Sequence, residues 1–268
     1  MNKKTLLEIF AVAGIFCLAG CEKKAYAQSS NQVAKIPSAE EEKFSRVFQK
    51  MSARAKEAIC VTEENKTEFI KDLYAILEKE KTFRADDKSL FFLIDKKHAA
   101  SSSYVPKDLV SLKKNSLFDL NKDGMKIRPE AYSALNEMAQ AALNDGIRLL
   151  VSSAYRSYSY QENLFNHYVN VDGLEEAERE SARPGTSQHQ LGTAVDFGKT
   201  QMGQWIYKNA ADYGWSLSFP KGYEDVTGYR WECWHFRYIG KNACRFQQKW
   251  FSGIQQFMLE FIDCWKSC

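Results

Sequence analysis

Histidine, net charge and long apolar runs are all scarce in this chain, and each shortage narrows what it can do. Only four of its 268 residues are histidines, His98, His167, His189 and His235, so histidine chemistry has four places to be. Lysine and arginine number 37 against 34 aspartates and glutamates, a formal charge of +3. That excess is too small to give a nucleic-acid footprint, and pairs such as Lys96-Lys97 and Lys113-Lys114 read as solvated surface. The apolar run from Ile9 to Gly20 is too short to cross a bilayer, which takes about 20 residues. No internal repeat is visible. The remainder, 44% apolar and 26% charged, is ordinary for a globular protein with room for one sizeable domain and an appendage, or two small domains.

The N-terminus is expected to lie outside the fold. Met1-Asn2-Lys3-Lys4 is a short basic start ahead of the apolar run, as in an export signal. The run ends Leu18-Ala19-Gly20-Cys21, which resembles a bacterial lipobox: residues 1–20 are then a signal peptide, Cys21 carries the lipid and residues 21–37 form a tether. Cleavage after Ala25-Tyr26-Ala27 is the competing pattern and would release a soluble protein. Either way the chain is exported, and the lipobox makes it a periplasmic or cell-surface lipoprotein. Five cysteines then remain, Cys60, Cys233, Cys244, Cys264 and Cys268, an odd number that cannot all pair internally. Cys233 with Cys244 is the first choice for a disulfide, because both flank one expected strand.

Ser38 with Glu41 forms a capping-box pattern, and Phe44, Val47, Phe48, Met51 and Ala55 come after it at helical spacing. A second helix is predicted from about Glu63 to Glu80, so residues 38–82 read as a helical extension packing on the domain C-terminal to it. Leu90 to Ile94 is a strand candidate. Pro129 opens a helix that Gly146 stops, and Ile147 to Ser153 is the next strand. Helices at about 159–169, 174–182 and 203–213, strands at Trp215–Phe219 and Trp234–Ile239, and a C-terminal amphipathic helix from Asn242 complete an α+β domain over residues 83–268. Asp119-Leu120-Asn121-Lys122-Asp123-Gly124 with Glu130 spells a calcium-loop pattern, but Ser111–Phe118 makes a poor leading helix, so it reads as a turn into the Pro129 helix.

The chemistry is concentrated in two short segments. Ser187 to Asp196 reads S-Q-H-Q-L-G-T-A-V-D, and Glu232 to His235 reads E-C-W-H. Two histidines, an aspartate and a further carboxylate are the inventory of a catalytic zinc site: three protein ligands, a water, and a base to deprotonate it. The pattern S-x-H-x-x-G-x-A-x-D arises by chance in about one chain in ten thousand of this length. His189 and Asp196 lie seven apart, an odd spacing that one unbroken strand would split between its faces. Gly192 must therefore turn the chain, with His189 on a loop and Asp196 on the strand after it. Glu232 must likewise precede the strand of His235, or a bulge must intervene.

On these residues the chain resembles the zinc D-alanyl-D-alanine carboxypeptidases of the vancomycin-resistance type and their L,D-carboxypeptidase relatives. The likeness runs from about Leu90 to Gly240, through Tyr104-Val105-Pro106-Lys107-Asp108-Leu109, Ser153-Ala154-Tyr155-Arg156-Ser157-Tyr158 with Gln161, Pro184-Gly185-Thr186-Ser187-Gln188-His189 and Trp231-Glu232-Cys233-Trp234-His235. It implies an antiparallel sheet flanked by helices, of the D-Ala-D-Ala peptidase or hedgehog-like kind, with Zn2+ held by His189, Asp196 and His235 and Glu232 as general base. The substrate implied is a peptidoglycan stem peptide losing its terminal D-alanine, with an L,D-carboxypeptidase acting on tetrapeptides as the alternative. Arg156 is then the cation for the oxyanion or for the substrate carboxylate, and Ser187 and Gln161 either bind the peptide or cap loops. A cell-wall-binding lipoprotein without chemistry is the reading from another class.

Overall fold

Ser38 begins the described structure with both halves of a capping box, its hydroxyl accepting from the Glu41 amide at 3.3 Å and its own amide donating to Glu41 Oε2 at 3.0 Å. The computed structural model describes residues 38–81, 90–198 and 203–268. The signal, the tether and Cys21 lie outside them. Among the described residues no helix is long and apolar enough to cross a membrane.

The expected first helix is two. Helix α1 (Ala39–Lys50) ends where Met51 turns extended, and Ser52 caps α2 (Ala53–Ala58) by accepting from the Ala55 amide. Helix α3 (Lys66–Glu80) comes next. The middle of the chain supplies β1 (Val110–Ser111), β2 (Phe118–Leu120), β3 (Lys126–Ile127), α4 (Pro129–Asn144), β4 (Leu149–Ser153), α5 (Tyr158–Asp172) and α6 (Leu174–Glu180). A 3₁₀ turn (Gln188–Leu191), β5 (Ala194–Phe197), α7 (Gly203–Asn209), β6 (Trp215–Leu217), α8 (Glu224–Thr227) and β7 (His235–Tyr238) complete the sheet region. The C-terminal helix is also split, into α9 (Lys241–Trp250) and α10 (Gln255–Ser267), because Ser252 and Gly253 both take positive φ.

The main sheet has the order β2-β4-β5-β7-β6. It is antiparallel except at one edge, where β2 runs parallel to β4, and β1 pairs with β3 in a separate ribbon. Helix α4 covers the sheet with Ala131, Ala134, Leu135, Met138 and Ala139, which join Phe118, Leu149, Val151, Val195, Phe197, Trp215 and Phe236 in one apolar core. A second core is helical. Phe44 and Val47 of α1, Phe69 and Leu73 of α3, Phe246 and Trp250 of α9, and Phe257 and Phe261 of α10 bury their side chains together. Residues 38–81 therefore share a core with the C-terminal helices.

Two expectations are corrected here. Leu90–Ile94 is buried but is not a strand, because side chains occupy its hydrogen-bonding groups. The buried Arg237 guanidinium donates to the carbonyls of Leu90 (3.0 Å) and Phe92 (2.9 Å), and Glu80 accepts from the Phe91 amide at 2.8 Å. Cys233 and Cys244 do not form a disulfide, and all five cysteines of the described residues are free thiols. Cys233 lies near Tyr207 in the turn before β7, whereas Cys244 projects from α9 into the helical core, where burial pushes its thiol pKa well up. The calcium-like segment is β2, a turn and β3 leading into α4, with the Asp119 carboxylate paired to Arg148 at 2.9 Å.

Candidate metal centre and active site

Strand register brings the ligands together. Asp196 of β5 and His235 of β7 are direct cross-strand partners, and facing residues of an antiparallel pair project to the same side of the sheet. Their side chains meet, with His235 Nδ1 3.1 Å from Asp196 Oδ1. His189 arrives from the 3₁₀ turn just before β5. Gly192 ends that turn with φ +68, and a Cβ there would stand 2.8 Å from Leu109 Cδ2 and 3.1 Å from Arg128 Cγ. Only glycine satisfies both the backbone conformation and the space. The His189 Nε2 atom lies 3.2 Å from Asp196 Oδ2, and the two imidazoles stand perpendicular with centroids 4.8 Å apart.

His189, Asp196 and His235 are the one cluster of histidine, cysteine and carboxylate side chains found among the described residues that could hold a metal, with ligand atoms within 4.8 Å of one another. The fit is specific. His189 Nδ1 lies 2.7 Å from the Ala154 carbonyl, which can only accept, so Nδ1 carries the proton and Nε2 offers its lone pair. That Nε2 is buried and makes no hydrogen bond, a costly state that a metal ion relieves. Two imidazole nitrogens and a carboxylate oxygen are the donors zinc takes in catalytic sites, and Zn2+ is the cofactor the cluster fits. Burial, and then the neighbouring Arg156 charge, push the His189 pKa down to about 4, so it is neutral at physiological pH. Burial works against the Asp196 carboxylate, but the two histidines and Arg156 outweigh it and hold its pKa well below the usual range.

The cluster lies on a cavity of about 240 Å³, which Arg156, Ser187 and Glu232 also line. Glu232 precedes β7 in a turn closed by the His235 amide on its carbonyl at 3.4 Å, and its Oε2 lies 3.7 Å from His235 Nδ1. Arg156 donates Nε to Ser153 Oγ at 2.9 Å, Nη1 to Gln161 Oε1 at 3.4 Å, and Nη2 to Asp196 Oδ2. Ser187 caps the 3₁₀ turn by accepting from the His189 amide at 3.3 Å, and it lines the cavity as well. Gln161 stands behind the site rather than in it. Its amide donates to Ala182 O at 2.8 Å and Ser181 Oγ at 3.2 Å, and its oxygen receives Arg156. His98 pairs with Asp95 at 2.8 Å and His167 lies on α5; neither joins the cluster.

Sequence reasoning assigned no role to several residues here. Tyr229, Thr186, Asp95 and Gln256 line the cavity, and burial pushes the Tyr229 phenol up to about 12. Tyr229 lies three residues before Glu232 and was within reach of the motif; Asp95 and Gln256 sit in segments with no catalytic pattern. Gln188, inside the motif, accepts at Oε1 from His235 Nε2 at 3.2 Å.

Residues 124–241 match the family described as VanY, D-alanyl-D-alanine carboxypeptidase. The LdcB LD-carboxypeptidase structure is 32% identical with a TM-score of 0.58, covering 66% of this chain and 86% of that one. The YodJ protein of Bacillus subtilis (strain 168) is 36% identical over 170 residues, 59% of this chain and 62% of that protein. The D-alanyl-D-alanine carboxypeptidase of Enterococcus faecalis (strain ATCC 700802 / V583) is 31% identical over 139 residues, 46% of this chain and 51% of that protein. The chain thus spans less than two thirds of either curated relative. It belongs to the VanY-type D-alanyl-D-alanine carboxypeptidase family, which takes in LD-carboxypeptidase relatives such as LdcB.

Proposed function

We propose that this protein is a zinc-dependent carboxypeptidase that removes the terminal D-alanine from peptidoglycan stem peptides. The observation that carries the reading is the convergence of His189, Asp196 and His235 beside one cavity that Glu232 and Arg156 also line. His189 through Nε2, Asp196 through its carboxylate and His235 through Nδ1 would hold the ion. When bound, zinc supplies Lewis acidity and brings the pKa of water down to about 7.

Glu232 is the general base: its carboxylate takes a proton from the attacking water and returns it to the departing D-alanine amine. Arg156 is the carboxylate anchor. A guanidinium has five N–H donors, three are engaged by Ser153, Gln161 and Asp196, and the remaining two suit a substrate carboxylate or a developing oxyanion. Gln161 holds that guanidinium in place, and Ser187 fixes the turn carrying His189. A terminal carboxylate on Arg156 favours removal of an end residue over cleavage inside a cross-link.

Action on peptidoglycan places the enzyme outside the cytoplasm, and the pattern around Cys21 supports a lipid anchor there. The test is a digest of purified muropeptides followed by mass spectrometry, with zinc measured on the same protein. Loss of one D-alanine from pentapeptides supports the D,D reading, and loss only from tetrapeptides moves it to the L,D alternative. Stoichiometric zinc without release of any D-alanine would leave a wall-binding protein. Cys21→Ser is expected to shift the protein from the membrane to the soluble fraction.

A further inference from the structure

We propose that Gln255, at the start of α10, is a positioning residue for the metal ligand His235, acting through Gln188. The inference rests on the metal reading above and concerns a residue outside the segment 124–241 matched by the family. The chain of contacts starts at a backbone carbonyl. Gln255 Nε2 donates to Ser216 O at 3.3 Å, and because a carbonyl only accepts, this fixes which way the Gln255 amide points. Gln255 Oε1 is thereby turned to accept, which it does from Gln188 Nε2 at 3.3 Å and from Ser218 Oγ at the same distance. Gln188 Oε1 is then also an acceptor, 2.7 Å from Ser218 Oγ and 3.2 Å from His235 Nε2.

The direction set at Ser216 therefore reaches the imidazole. A His235 proton on Nε2 meets Gln188 Oε1, and an ion that takes the place of the contact between Nδ1 and Asp196 Oδ1 (3.1 Å) would receive the Nδ1 lone pair. His235, Gln188, Ser218 and Gln255 are all buried, with His235 and Gln188 bordering the cavity. With Nδ1 given to the ion, losing Gln188 Oε1 would leave the Nε2–H of a buried imidazole without its partner. Partners of this kind fix ligand tautomer and orientation, and their loss typically weakens metal binding about 10- to 100-fold. Here the partner, Gln188, is itself held by Gln255 of the C-terminal helix, so α10 supports the metal site although it contributes no ligand.

The test measures Zn2+ affinity by chelator competition, and the His235 Nε2 proton by ¹H–¹⁵N correlation on the zinc-bound protein. Wild type is expected to bind one zinc and to carry the His235 proton on Nε2. Gln255→Leu and Gln188→Leu are expected to bind zinc about 10- to 100-fold more weakly, with a displaced His235 Nε2–H resonance and a changed visible spectrum of the cobalt-substituted protein. Should Gln255→Leu not fold, the shorter Gln255→Asn, which withdraws the amide from Gln188, carries the same test. Affinities of these variants within about twofold of wild type overturn the proposal, as does the absence of a His235 Nε2 proton from the zinc-bound wild type. A wild-type protein that takes up no zinc overturns the metal site itself.

Discussion

The sheet half and the helical half of this protein solve opposite problems. In the sheet half, short strands and turns hold buried charged and polar groups, and some of these, such as His189 Nε2, lack a hydrogen-bond partner. In the helical half, Phe69 is fully buried among Phe44, Phe246, Trp250, Phe251 and Phe261, with ring centroids between 5.1 and 6.0 Å. Edge-on aromatic packing of that density stabilises without doing chemistry. The contrast teaches that one half holds unpartnered buried polar groups ready for a ligand while the other is built of apolar packing, with Gln255 as a polar link between them.

The largest effect expected belongs to the sheet half. Glu232→Gln should keep zinc and fold while D-alanine release drops by about 10²- to 10⁴-fold, whereas His189→Ala should lose both zinc and turnover. Wild-type rates of muropeptide hydrolysis by Glu232→Gln would show that the base is another residue. The helical half should break differently. Phe69→Ala should cost about 3–5 kcal/mol and lower the melting temperature by about 10 °C, with kcat unchanged well below the transition. A fall in kcat at constant melting temperature would erase the division between the halves.

The third expectation is a pH dependence. The His189 pKa is about 4 in the folded chain against an ordinary 6.5. Below 6.5 the unfolded chain takes up a proton that the folded one refuses until about 4, so the zinc-free protein should lose stability as pH falls through that window. The loss is about 3 kcal/mol at most, and Asp196, with its depressed pKa, adds in the same direction at lower pH. Melts at a series of pH values check it, and a flat profile between 6.5 and 4 would mean that His189 is not held neutral by burial. The smallest effect is on the surface of the helical half. Lys249 pairs with Glu68 and Asp72 at 2.6 and 2.7 Å, but it is exposed and screened, so Lys249→Ala should leave the melting temperature within experimental scatter at about 0.15 M salt.

Much of the site could be read in the residues alone. The spacing of His189, Gly192 and Asp196 demanded a turn and then a strand, and a glycine-ended 3₁₀ turn leads into β5. The spacing of Glu232 and His235 demanded a residue ahead of the strand, and a turn provides it. Helix positions were legible from apolar periodicity and caps, but not the interruptions at Met51 and Ser252, where a serine cap and a positive φ end helices whose periodicity runs on.

Local structure, then, was written in the chain: the residue types of the cluster, the glycine-ended turn and the helical faces come from side-chain properties and short spacings. What only the folded molecule decided was which distant segments face each other. Strand register sets Asp196 opposite His235, Arg237 takes the hydrogen bonds that a strand at Leu90–Ile94 would need, and α10 returns to place Gln255 behind a metal ligand. These depend on contacts between residues far apart in sequence, and such pairings are chosen by packing of the whole core rather than by the preferences of any one segment.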